Sequence, residues 1–184
     1  MPNYIPILED HSYPIGPFSN PGMDMHSSEL KLSWDDLRFP ATAINPPGAA
    51  SDPDVEATTG CLLFAASATE LVYCLAQMPH HWKEGSEISP HVHWTKTTSA
   101  AGDVAWQLRY QIIPIGAVGP GDWTDGGVVT SPVAGTPDND TAWEHLLSSF
   151  TNIDMTDNTL STCILFELSR VGGATEDTYA ADAR

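Results

Sequence analysis

Residues 104–112 read Val-Ala-Trp-Gln-Leu-Arg-Tyr-Gln-Ile. Val104, Trp106, Leu108, Tyr110 and Ile112 alternate with Ala105, Gln107, Arg109 and Gln111. A period of two is the signature of a strand that rests one face on a core. The same alternation recurs in 160–171, where Leu160, Thr162, Ile164, Phe166 and Leu168 share a side. It recurs in 88–97, and at Leu30, Leu32 and Trp34 against Lys31 and Ser33. Short apolar runs at 61–66 and 128–133 add two more strand candidates. A further run at 71–78 is apolar on both faces, as in a strand buried on both sides or lying in an interface. Residues 143–153 are the one stretch that rivals a helix, but Ser148, Ser149 and Thr151 favour a strand. The stretch 179–184 starts a last one. Seven to nine short strands about ten residues apart, with turn chemistry between them, predict an all-β fold: a jelly-roll-like antiparallel β-sandwich. Fourteen glycines and fifteen prolines, against seven Lys and Arg, suit such a loop-rich architecture.

Residues 1–29 differ in kind. Pro2, Pro6, Pro14, Pro17 and Pro21 forbid helix and interrupt any central strand. Yet Tyr4, Ile5, Ile7, Leu8, Tyr13, Ile15 and Phe18 are too apolar for a free linker. The segment is expected to be an extended arm lying on its own domain or on a neighbouring subunit. The sandwich is then 30–184, interrupted by a long loop at 41–60 with turn signals at 45–48 and 51–54.

The formal net charge is -17, from 24 acidic and 7 basic residues. That argues against binding nucleic acid through its phosphates, and against an anionic membrane surface. It fits a solvated acidic exterior, cations, or a basic partner. Cys61, Cys74 and Cys163 form no CxxC pair; Cys74 and Cys163 read as small buried hydrophobes. The N-terminus lacks the basic and apolar regions of a signal peptide, and no run reaches the ~20 apolar residues of a membrane helix. A soluble product of a cytoplasm is expected.

Histidines gather in 77–94, which holds four of the seven, at His80, His81, His91 and His93. If 88–97 is a strand, Glu87, Ser89, His91, His93 and Thr95 share a polar face, and Val92 and Trp94 turn to the core. Two imidazoles two residues apart can ligate one metal, so His91 and His93 are the metal candidates. Cupins carry such a pair, with a nearby carboxylate and a distant third histidine. Here no acid follows in 94–99, and His145 is the only later histidine. A self-association surface with the pair on a symmetry axis, or polar side chains satisfied by a neighbouring loop, are the other readings. His80, His81 and Trp82 read as a turn, closed by Gly85 at positive φ, with Trp82 capping the core. The acid clusters at 52–54, 138–140 and 154–157 lack EF-hand spacing and read as turns. Trp123, on a Gly-rich loop, would suit stacking on a sugar. No serine elbow, phosphate loop or HExxH helix is present, so neither catalysis nor a cofactor is expected.

The segments Met78-Pro79-His80-His81-Trp82-Lys83-Glu84-Gly85-Ser86 and Ile88-Ser89-Pro90-His91-Val92-His93-Trp94 resemble a PHxWKxGxxIxPHxHW pattern in virion proteins of tailed bacteriophages. The likeness extends to residues 34–40 and 45–48, to Leu168-Ser169-Arg170 and to Asp177-Thr178-Tyr179. It departs at His81, where a small polar residue is usual, and at the end, where relatives run one strand further. The resemblance implies a virion structural protein, a cement or decoration protein on the capsid exterior, made in the host bacterial cytoplasm. It implies the major capsid protein as partner and a homotrimer, with a dimer second. The alternatives are a tail or fibre component that recognises a host receptor or glycan, and a cupin-like metal enzyme. The expected interface comprises His80, His81, Trp82, Glu87, His91 and His93, together with Tyr4, Ile5, Ile7, Tyr13 and Phe18 of the arm.

Overall fold

A computed structural model describes residues 36–118, 121–131 and 141–184. The arm, with Tyr4, Ile5, Ile7, Tyr13 and Phe18, and the acid cluster 138–140 lie outside them. Leu37–Arg184 form one compact unit. It is all-β and antiparallel, as the alternation predicts. In chain order the strands are β1 Asp54–Val55, β2 Leu62–Leu63, β3 Thr69–Gln77, β4 His91–Thr95, β5 Val104–Ile113, β6 Thr124–Ser131, β7 His145–Ser149 and β8 Cys163–Val171. No helix among the described residues is long and apolar enough to cross a membrane.

One layer is a four-stranded sheet in the order β3-β8-β5-β6. The other is assembled from pieces. β1 pairs with β2 and β4 with β7. Ala183 joins the two pairs, because it bridges Phe64 on one side and Lys96 on the other. Thr95 and Arg184 exchange backbone hydrogen bonds at 2.8 and 3.0 Å, which completes the seam. The stretch 179–184 therefore bridges through one residue, Ala183, and is not a full strand.

The core lies between the layers. From β5, Val104, Trp106 and Leu108 are buried, with Tyr110 and Ile112 packed beside them. Trp106 meets Phe64 edge-on at 5.1 Å and Trp94 at 5.9 Å. Edge-to-face pairs of this kind suit the ring quadrupole. One arginine penetrates the core. Arg170, on the inward face of β8, is fully buried and holds Asp177 through Nε and Nη2 at 2.9 and 2.7 Å. Its Nη1 donates to the carbonyls of Phe64 and Ala181 at 2.9 and 2.7 Å, and its Nη2 donates to that of Tyr179 at 2.5 Å.

Two expectations need correction. β3 is not buried on both faces: Val72 and Ala76 are, but Leu75 is 58% exposed and Tyr73 half-buried. The run 71–78 is apolar on both sides without being covered on both. Second, 41–60 is not a bare loop. Asn45 bridges Tyr73, and Asp54–Val55 form β1, because Gly60 at φ 73° turns the chain back onto Leu62–Leu63. The strand candidate carried by Leu30, Leu32 and Trp34 lies outside the described residues.

Cys74 and Cys163 are half-buried rather than fully buried. Burial pushes the Cys74 thiol up to about 11, from an ordinary 9.0. At a given pH it then carries about a hundredfold less thiolate, which is the reactive form. Iodoacetamide at pH 8 should alkylate Cys74 about a hundredfold more slowly in the folded protein than in urea. Peptide mapping gives the two rates, and equal rates would contradict the burial.

Candidate functional site

The histidine-rich stretch folds as an inward half and an outward half. Met78 leaves β3 buried, exchanging backbone hydrogen bonds with Thr162 and Ser161 at 2.8 and 3.1 Å. The corner after it is a turn, with the Trp82 N–H on the Pro79 carbonyl and Gly85 at φ 74°. Glu84 ties this corner to a distant segment by accepting the Leu160 N–H at 2.8 Å. Trp82 and Ile88 pack against the core, as does Val92, and Trp94 is buried. The Trp94 indole N–H donates to the buried Ser148 hydroxyl at 2.9 Å. The strand parity is as predicted for Val92 and Trp94.

The outward half is a continuous polar row. Asn152 donates to Glu87 at 3.0 Å and accepts from Ser89 at 2.9 Å. The His91 Nδ1 stands 3.1 Å from the Ser89 carbonyl. The His91 ring meets the His93 ring edge-on at 5.0 Å. The His93 Nδ1 lies 2.7 Å from Nε2 of His145, with the rings 4.8 Å apart. All three histidines are exposed. They come together because β4 and β7 pair from His91↔Ser149 to Thr95↔His145, which sets His93 and His145 diagonally on one face. Leu147, opposite His93 on that face, is 53% exposed.

The expected interface residues are thus split. Glu87, His91 and His93 form the row. His80 stands on the corner, 3.2 Å from the Ser161 hydroxyl, and His81 is exposed beside it. Trp82 belongs to the core boundary. The close histidine pair is His93 with His145, not His91 with His93. The sequence offers His145 only as the one later histidine a cupin-like set could draw on, and Asn152 was not expected here. Their own strand pattern could place them on an outer face, but it does not say which strand lies alongside.

Other chemistry is sparse. Among the described residues no group of three His, Cys, Asp or Glu could hold a metal. Asp52 caps a turn by accepting from Gly48 and Ala49, and Asp154 does so from Thr156, whose hydrogen bonds hold its carboxyl below the usual range. His91 and His93 face outward, whereas the cupin pattern needs them inside a barrel. Trp123 is half-buried, stacked on Tyr73 at 5.9 Å with Arg109 5.3 Å from its ring, so it is no bare platform for a sugar. A shallow cleft of about 240 Å³ lined by Tyr110, Asp125, Thr151 and Asn152 holds one carboxylate, which caps Gly127.

Most Lys and Arg side chains among the described residues are buried or paired. Lys96 and Arg170 are buried, Arg109 is paired with Glu167, and Arg184 stacks on Trp143 and pairs with Glu56. Comparison with protein-family models, with curated proteins and with solved structures finds no match.

Proposed function

We propose that the chain is a structural protein of a tailed-bacteriophage virion, a cement or decoration protein that binds across capsid subunits. Its partner is then the major capsid protein, and its own assembly a trimer or dimer. The observation that carries this reading is the division of the PHxWKxGxxIxPHxHW stretch. Its apolar members anchor the core, while His91 and His93 join Glu87 and Ser89 in an exposed row that, among the described residues, contains no three-ligand metal group. Residues so arranged suit recognition of a neighbouring surface. The exposed Leu147 beside the row, and Leu75 on the other layer, supply apolar area that such contacts bury.

The test is association with phage heads assembled without this protein. Purified chain should co-sediment with the heads and raise their thermal stability. Substituting His91 and Glu87 together by alanine should weaken that association. A chain that stays monomeric and leaves heads untouched would overturn the proposal. Binding to isolated tails instead would move it to the tail or fibre reading.

A further inference from the structure

We infer that His93 and His145 form a two-imidazole site for a divalent transition-metal ion of the zinc, nickel or copper type. Two ring nitrogens from different strands converge to 2.7 Å. At that separation one ring donates a proton and the other offers a lone pair. An ion put in place of that shared proton binds each nitrogen at about 2.0–2.1 Å, which asks for nitrogens roughly 2.9–3.4 Å apart at bond angles of 90–109°. The required opening is a fraction of an ångström.

The surroundings allow that opening. Both side chains are exposed, and a small rotation has to ease the edge-on contact between the His93 and His91 rings. The backbones beneath them are held by the antiparallel β4–β7 register, which keeps the two rings presented together. The protein's net charge of -17 raises the local concentration of cations. Imidazole without a neighbouring carboxylate selects against magnesium and calcium, which take oxygen ligands. Two protein donors leave positions open for water or for a donor from another molecule. His91 is not required: its Nδ1 is committed to the Ser89 carbonyl, and its ring meets that of His93 edge-on. The inference stands on this geometry whether or not the chain belongs to a virion.

Calorimetric titration of the intact chain with zinc chloride, and separately with nickel chloride, tests it. The expected result is saturable binding at one ion per chain, or one per two chains if a second copy supplies donors. Magnesium chloride should give none at the same concentration. His93→Ala and His145→Ala should each weaken binding at least about tenfold, because each removes one of two ligands. His91→Ala should change it little. Circular dichroism checks that all three variants remain folded. Absence of zinc binding at 100 µM, comparable binding of magnesium, or zinc binding that survives both His93→Ala and His145→Ala would overturn the site.

Discussion

Replacing Arg170 with methionine should lower the unfolding free energy by about 3–5 kcal/mol, the range for breaking a buried ion pair from one side. For a domain of this size that corresponds to a fall of roughly 6–20 °C in Tm. The guanidinium is fully buried, and Asp177 is 1% exposed at its side chain. Methionine keeps the apolar stem but abandons a carboxylate that water cannot reach. It also strips donors from the carbonyls of Phe64, Tyr179 and Ala181. Arg170→Lys should recover little, because an ammonium cannot reproduce the two-pronged contact with Asp177. The Asp177 carboxylate also accepts the Ala105 N–H at 3.0 Å, so Asp177→Asn should be costly as well. Urea titrations of the variants measure this, and a loss below about 1 kcal/mol for Arg170→Met would refute the account. The effect should reach the histidine face, since Arg170 fixes the segment whose Ala183 joins β2 to β4.

That network illustrates what the sequence conveys and what it hides. The strands within 104–112 and 160–171 announce themselves, the second beginning only at Cys163, because alternation is local and each has a face turned to the core. The parity of Val92 and Trp94 follows from the same rule. Arg170 sits on the inward parity of β8, where a local reading expects an apolar residue. Its partners are seven residues away at Asp177 and 106 away at Phe64. Only the fold joins them. The same holds for His145, which is 52 positions from His93. Its place beside His93 is set by the β4–β7 register, and no pattern within 143–153 encodes which strand pairs there. The reading of 71–78 as buried on both sides fails for the opposite reason. An apolar composition on two faces is consistent with burial, but it does not say what covers the second face, and Leu75 is left exposed.

The inward half of the histidine-rich stretch should prove far more sensitive than the outward half. Trp94→Ala is expected to cost about 3–5 kcal/mol, the range for truncating a large aromatic in a packed core. Trp94 is 2% exposed and packs edge-on against Trp106, so the cavity opens between the two layers, where neither sheet can close it alone. Trp94→Phe refills most of that volume but leaves the buried Ser148 hydroxyl without the indole donor, a loss of about 1–3 kcal/mol. Combining Trp94→Phe with Ser148→Ala should return part of it, because no buried hydroxyl then lacks its partner. His93→Ala and His145→Ala, by contrast, alter exposed side chains and should stay within about 0.5 kcal/mol of the parent. Urea unfolding of the five variants, followed by far-ultraviolet circular dichroism, separates the two sets. Histidine variants as damaging as Trp94→Ala would mean that the outer row holds the fold together. A neutral result for them, alongside a large loss for Trp94→Ala, leaves the imidazoles without a stabilising role and directs attention to what they bind.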